Sequence, residues 1–506
     1  MKKVHRLVSS LCVVVLLATT LAACGGGTTP TAGSVTTAAT TTTAAASATT
    51  AAAGATTAAA SATTAAAGAT TAAAGATTAA GATTAAAATT AAAATTAAAA
   101  ATTAAPLANK PDKITIVVQA GAPEVTIYKE LSKTWEQQRG IKIEWVEIPQ
   151  DSQHDKLVTE LSSRSGAFDA LGLDQPWVAE FAAAGYIEPL DGRISPEDKN
   201  DFSPNEISMQ SYQGKLYGLP HYMFAPVMYY RPDLFDKHGL RKPTLEQPLT
   251  KEEFLTAAQK ITGGDVFGTI VEAKRHVVPV THMVEYIYRE GGVIIDANKK
   301  PHVNSPEAIT GVQFLVDLVN KNKVAPLGAL GFDHVDNHTL FSQGKLGMAI
   351  NWPYAYSLIS DPKQSTVSDK FAVTLPFKAV KSTTVVGGWG VAMTKDSKKK
   401  EAAWDWMKFI TSTEQLYNLR KKSFGPPARQ SELAKLQADP TITQVQRDTL
   451  AVMLKAVDNG TLIPNIPEWN QVSDVLNIAL QDAIGGKKSV KEALDAAQAD
   501  IEKILR

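Results

Sequence analysis

Residues 113–145 read KITIVVQAGAPEVTIYKELSKTWEQQRGIKIEW, and this stretch decides the fold class. Residues 113–119 form an apolar run rich in β-branched side chains, as a buried strand requires. From Glu124 to Gln138 the apolar residues fall at Val125, Tyr128, Leu131 and Trp135, a helical spacing. Residues 141–145 then alternate apolar and polar, which predicts a second strand. Strand, helix and strand within about 35 residues make a βαβ unit. The alternation continues with a helix over 153–163 and a buried strand over 168–173. Pro176 opens a further helix that ends before Gly185, with Asp174 or Gln175 as its cap. The pattern predicts an α/β protein with a mostly parallel sheet.

Further along, residues 214–219 (GKLYGL) lead to Pro220, and apolar sequence runs on through Val227-Met228-Tyr229-Tyr230. Thr250 with Glu253 is a capping box for a helix to about Ile261. Ser305-Pro306 starts another helix, through Phe314 and Leu318. Residues 345–351 (KLGMAIN) and 371–376 read as strands, and Gly387-Gly388-Trp389-Gly390 breaks into the next. Trp404, Trp406, Phe409 and Ile410 mark a helix, and Ser489 with Glu492 caps the last one.

The N-terminal part has a different chemistry. Lys2, Lys3 and Arg6 precede a run that is apolar from Leu7 to Leu17 apart from Ser9 and Ser10, and Ala22-Ala23 follows before Cys24. This is the layout of a secretory signal peptide over 1–23. The run is too short for a membrane-spanning helix, which needs about 20 residues. Residues 28–106 are almost wholly Thr, Ala, Gly and Ser, without charge or aromatic rings. Such a tract buries too little to offset its conformational entropy, so 24–106 is expected to be a disordered stalk, about 50 Å long root-mean-square as a flexible coil. About 400 residues remain to fold, more than one core supports, and two lobes are expected. Lys2, Lys3 and Arg6 are the only formally charged side chains before residue 107, so the rest holds 46 basic against 49 acidic residues. That balance argues against nucleic acid as a partner. Cys12 and Cys24 are the only cysteines, so the folded part has neither a disulfide nor a cysteine metal site.

Several segments together resemble the extracellular solute-binding proteins of ABC importers, in their maltose-binding-protein-like carbohydrate branch (family 1). They are Phe168-Asp169-Ala170 with Asp174 and residues 177–181, Gly214 to Pro220 followed by residues 228–231, and residues 341–345 with 349–354. Gly387-Gly388-Trp389-Gly390-Val391, residues 463–469 and Glu492-Ala493-Leu494 complete the set. Each motif is loose, but their order extends over nearly all of 113–506. Leu21-Ala22-Ala23-Cys24 resembles the lipobox of bacterial lipoproteins, which implies cleavage before Cys24, a lipid on its sulfur and a cell-membrane anchor facing the extracellular side.

The resemblance implies a two-lobed periplasmic-binding-protein-like fold (type II), with a ligand cleft between lobes joined by crossing strands. Residues 107–222 and 389–415 would form lobe 1, and 223–388 and 416–506 lobe 2. The lobes would close on a sugar or oligosaccharide by hinge bending, and the closed monomer would dock on ABC permease subunits. The alternatives are the same fold binding a polyamine or glycerol phosphate, a surface glycoside hydrolase, or a purely structural surface protein.

A sugar site calls for carboxylates and amides to meet hydroxyls and aromatic faces to meet C–H surfaces. Asp174 sits at the end of a predicted strand, where open α/β sheets bind ligands, although it also suits a helix N-cap. Gln175 and Trp177 share that loop, Trp177 either packing in its lobe or facing the cleft. Trp389 lies between glycines, and the resemblance places its crossing strand beside the ligand, with hinge packing as the other role. Trp352 and Tyr354 flank Pro353, one of them is expected to line the cleft, and Tyr354 better matches the family's stacking aromatic. Trp469 suits cleft or core equally. His221, Tyr222 and Phe224 follow the first crossing. Phe224 stands where the maltose-binding pattern has a carboxylate, which argues against maltose itself. His282, with Thr281 and Met283, is a further candidate, whereas Trp135, Trp145, Trp404 and Trp406 read as core.

His276, His282, His302, His334 and His338 are scattered. His334 and His338 are four apart beside Asp333 and Asp336, which suits a metal pair on a helix. Gly331 and Asn337 point instead to a solvated turn, the favoured reading. No Gly-x-Ser-x-Gly elbow, His-Glu-x-x-His, phosphate loop or catalytic cysteine occurs, so neither catalysis nor a metal or cofactor is expected.

Overall fold

The computed structural model describes residue 107 and residues 109–506 other than 276. The expected signal peptide (1–23), Cys24, the stalk (24–106) and His276 lie outside the described residues. The opening alternation follows the sequence closely: β1 (Lys113–Gln119), α1 (Pro123–Arg139), β2 (Lys142–Ile148), α2 (Gln150–Ser162) and β3 (Ala170–Asp174). Pro123 opens α1, and Gly140 ends it at φ 60°, a left-handed conformation that glycine adopts without a Cβ clash. A single 3-10 turn, Gln175–Trp177, links β3 to α3 (Val178–Ala183). β4 (Gly218–Phe224) and β5 (Val227–Tyr230) follow.

Helices α4 (Lys251–Ile261), α5 (Val277–Arg289), α6 (Pro306–Asn320) and α7 (His334–Ser342) come next. Three of them begin on side-chain caps: Thr250 with Glu253 in a capping box, Ser305, and Asp333 with Asp336 in a second box. Then come β6 (Met348–Asn351), β7 (Ala372–Thr374) and β8 (Val385–Met393). The chain ends with α8 (Lys400–Ile410), α9 (Thr413–Lys422), α10 (Gln430–Ala438), α11 (Gln444–Asp458), β9 (Thr461–Leu462), α12 (Trp469–Ile484) and α13 (Val490–Ile504). Ser489 and Glu492 form the expected box at the start of α13.

Two sheets organise these elements. The first runs β9-β8-β3-β1-β2, with β4 also paired to β8. β1 is parallel to β2 and β3, and β8 is antiparallel to β3 and β4. The sheet is covered on both faces. Ile114, Ile116 and Val118 of β1 enter a core with Trp135, Trp404 and Trp406, while Val117 enters the opposite core with Leu171, Trp177 and Phe181. This is the period-two division that a strand imposes. The second sheet is β6-β5-β7, all antiparallel. Beside it Phe254, Met283, Leu315, Trp469 and Leu480 share the largest core.

β8 crosses between the lobes. Val385 belongs to the second-lobe core, whereas Val391 and Met393 belong to the first. The return to the second lobe lies later than position 416. Leu416, Leu419 and Ala428 pack in the first-lobe core, and Arg429 ties the start of α10 to Asp198 and Asp201. From α11 onward the chain packs against second-lobe strands, with Leu450 and Met453 beside Val227 and Tyr229. Among the described residues no helix is long and apolar enough to cross a membrane.

Candidate functional site

The carboxyl end of β3 and the crossing strand β8 meet at a cavity of about 630 Å³. Register builds its floor: Trp389 of β8 pairs with Asp174 on one side and with Tyr222 on the other. The first lobe contributes Gln119, Glu124, Asp174, Gln175 and His221 to the lining, and the second contributes Lys274, Asp333, His334, His338 and Tyr354. Phe224 and Trp352 close an aromatic wall across the lobes, in edge contact at 6.3 Å between ring centroids. Tyr222 lies 6.1 Å from Phe224 on the same wall. Thr281 also lines the cavity.

Asp174 carries the distinctive electrostatics. It is only 6% exposed, and its Oδ1 has no hydrogen-bond partner among the described residues. Burial pushes its carboxyl up to about 8, offset in part by the N–H of Gln175. Apart from that contact with Gln175 the side chain makes no capping bond to the 3-10 turn that follows, so the N-cap role is not taken. Burial likewise raises Glu124, whose Oε1 accepts from Ser423 at 3.1 Å.

His221 is fixed in the first-lobe side of the lining. Its Nδ1 meets the Tyr128 hydroxyl, and its carbonyl accepts from Arg420 at 2.6 Å. Burial and the Arg420 charge push the imidazole down to about 3, so it is neutral. Opposite, His338 Nδ1 lies 3.1 Å from the Tyr354 hydroxyl and 3.0 Å from the His334 carbonyl. Burial lowers His338 as well. Asp333 is buried enough to be raised, yet the Lys274 ammonium at 2.8 Å and the Val335 N–H hold it below the usual carboxylate value.

Of the expected residues, the cavity gathers Asp174, Gln175, His221, Tyr222, Phe224, Trp352, Tyr354 and Trp389. Both rings flanking Pro353 line it, not one. Three expected residues stand elsewhere. Trp177 packs in the core behind the sheet, 5.5 Å from Trp389 in an edge contact. Trp469 is in the second-lobe core, 2% exposed. His282 is buried in α5 between Glu285 Oε2 at 3.1 Å and Glu272 Oε1 at 3.6 Å, with its ring 4.7 Å from Trp352. Burial pulls this imidazole down, but the two carboxylates outweigh it and raise it to about 10. It supports Trp352 from behind.

The structure also corrects the reading of His334 and His338 as a solvated turn. Both lie on α7, and both line the cavity. Asp333 and Asp336 were the legible signal, since they form the capping box that starts the helix, and this local bond outweighs Gly331 and Asn337. Nevertheless, no group of three or more His, Cys, Asp or Glu among the described residues is arranged to hold a metal ion. Glu124 and Gln119, at the start of α1 and the end of β1, and Lys274, in the loop before α5, were missed because none carries a local motif.

Residues 120–417 match the family model described as bacterial extracellular solute-binding protein. The mannitol-binding protein of Pseudomonas aeruginosa is 26% identical over 394 residues, which cover 73% of this chain and 88% of that protein. A putative binding protein of Brucella abortus is 26% identical over 393 residues, 77% of this chain and 92% of that one. Among solved structures, maltose-bound T. maritima MalE3 superimposes with a TM-score of 0.71 at 26% identity, covering 77% of this chain and 99% of that chain. An Agrobacterium radiobacter K84 ABC transporter solute-binding protein with ribitol gives 0.71 at 27%, covering 79% and 100%. These are two-lobed type II binding proteins, the architecture that the sheets and the crossing strand describe here. With the family model matched over more than half its length and the cleft formed where two lobes face each other, this chain belongs to the bacterial extracellular solute-binding protein family.

Proposed function

We propose that the protein captures an uncharged polyhydroxylated solute (a sugar, a polyol or a short oligosaccharide) between its lobes and delivers it to the membrane subunits of an ABC importer. The observation that carries this reading is Asp174: a buried carboxyl with an unpartnered oxygen, set in a cavity walled by aromatic rings from both lobes. Ligand hydroxyls supply the missing donors, and Gln175, Gln119 and Glu124 extend that polar wall. Trp389, Phe224, Trp352 and Tyr354 offer ring faces to the C–H surfaces of the ligand. A volume of about 630 Å³ lies in the usual range for small-ligand sites. The names of similar proteins support this class, since they include a mannitol-binding protein and ribitol- and maltose-bound forms.

The reading includes a monomer anchored by a lipid on Cys24, with 24–106 as a spacer between membrane and lobes, and a protein that binds without catalysis. Calorimetry of the purified chain against D-mannitol, ribitol, maltose and maltotriose tests the ligand class. Saturable binding of at least one compound, recovered chemically unchanged, is expected. Hydrolysis of a bound glycoside, or binding of a polyamine in place of every sugar and polyol, overturns the reading. For the anchor, Cys24→Ala is expected to move the protein from the membrane fraction to the medium, and persistence in the membrane fraction refutes the lipid.

A further inference from the structure

We propose that Asn470 is a positioning residue which, with Glu180 and His154, clasps the two lobes together outside the ligand cavity and sets the balance between closed and open clefts. None of the three lines the cavity. Asn470 lies in the first turn of α12, whose Trp469, Val472 and Leu476 pack in the second-lobe core. Glu180 and His154 lie on α3 and α2, which pack in the first lobe through Val178, Phe181 and Leu157. The Asn470 side-chain amide therefore reaches across the cleft. Its Nδ2 donates to Glu180 Oε2 at 2.6 Å and stands 3.1 Å from His154 Nε2.

The protonation state of the ring follows from geometry. His154 Nε2 is 2.8 Å from Glu180 Oε2, and Nδ1 is 3.1 Å from Asp155 Oδ1. A carboxylate only accepts, so both contacts are hydrogen bonds only when both ring nitrogens carry protons. The imidazolium then has no lone pair for Asn470, and the inter-lobe bond is the one to Glu180. The charged groups facing the ring are Asp155 from α2 itself and Glu180 from α3. The turn before α3 brings the Trp177 ring at 5.8 Å, α3 adds Phe181 at 5.9 Å, and α12 adds only the uncharged amide. Burial pulls the imidazole down, but the bonds to Glu180 and Asp155 raise it overall. As pH rises and the ring loses a proton, one of its two carboxylate contacts is lost, whereas the Asn470–Glu180 bond needs no ring proton and remains. A second amide stitches the neighbouring segment the same way: Asn465 Nδ2 donates to the Ser211 carbonyl of the first lobe at 2.9 Å.

The clasp rests on the two-lobed fold and not on the ligand, so it is tested without one, and its failure leaves the sugar reading standing. In the full chain with Cys12 and Cys24 changed to serine, cysteines replacing exposed Ser162 and Lys491 carry nitroxide labels, and pulsed electron resonance measures the inter-lobe distance. Asn470→Ala is expected to lower the closed-to-open ratio about tenfold, the effect of one hydrogen bond to a charged group. Asn470→Asp, which sets two carboxylates together, is expected to lower it further. Pairing Asn470→Asp with Glu180→Gln restores a donor and an acceptor with their roles exchanged, and the short distance is expected to return. A distance distribution unchanged in Asn470→Ala, or no recovery in the exchanged pair, overturns the clasp.

Discussion

At the residue scale the site turns on a few side chains whose behaviour comes from burial. Trp389 is half-buried, flanked in the sheet by Asp174 and Tyr222, and faces the cavity. Trp389→Ala is expected to weaken ligand binding by about 1–3 kcal/mol, the size of losing one aromatic face that carries a bound group; unchanged calorimetric affinity would show that the indole serves only the hinge. Asp174 has a signature in pH. Burial holds its carboxyl at about 8 in the native protein against the ordinary 3.8. The native state thus keeps a proton that the unfolded chain gives up. Its contribution to stability is fully present below about pH 4 and is lost as pH rises through about 8. Asp174→Asn stays neutral, so urea unfolding of the ligand-free variant should fall less between about pH 5 and 8, by a few kcal/mol. Equal slopes in the two proteins would contradict the burial argument.

At the element scale, the crossing strand and α5 place the rings. A Cβ on Gly387 of β8 would sit 2.5 Å from the Phe224 ring, so the absence of a side chain there seats that ring on the cavity wall. Gly387→Ala displaces the ring, since its far end is the part able to give way. The expected result is a folded protein with affinity reduced by about 1–2 kcal/mol, and a crystal structure of the variant with Phe224 unmoved would contradict it. Behind Trp352, α5 carries an ion network: Arg289 and His282 share Glu285, and Thr384 donates to its Oε1 at 2.5 Å. His282 is raised from 6.5 to about 10, so its contribution is fully present below pH 6.5 and lost as pH rises through about 10. His282→Ala takes from buried Glu272 its cationic partner, while Arg289 still faces Glu285, and is expected to cost about 3 kcal/mol near neutral pH. The difference from the unsubstituted protein should shrink toward pH 10, as read by chemical denaturation at both pH values.

At the scale of the whole molecule, a ligand that touches both lobes favours the closed state by its differential affinity and no more. Scattering should therefore report a smaller radius of gyration with a bound sugar than without. Superimposable curves at saturation would mean that the cleft does not move. The stalk stands apart from this device: deleting 28–106 should leave calorimetric affinity unchanged, because the described residues from 118 to 463 already build the cavity lining. A loss of binding would give the Thr/Ala tract a part in the site.

Much of this protein was legible in the chain. Hydrophobic period and cap chemistry are local, so the strand over 113–119, the boxes at Thr250 and Ser489, and an α/β protein too large for one core could be read directly. Aromatic rings were another matter. Trp177, Trp352, Trp389 and Trp469 each sit among turn-forming or small residues, and only the packing of two lobes turned Trp352 and Trp389 toward the cavity and the other two into cores. His334 and His338 reached the cleft because α7 delivers them there, a placement that no spacing encodes. The charge states of Asp174 and His282 were equally out of reach of the sequence by itself. Desolvation and the field of neighbouring carboxylates depend on distances between residues far apart in the chain, and those distances exist only once the lobes have folded.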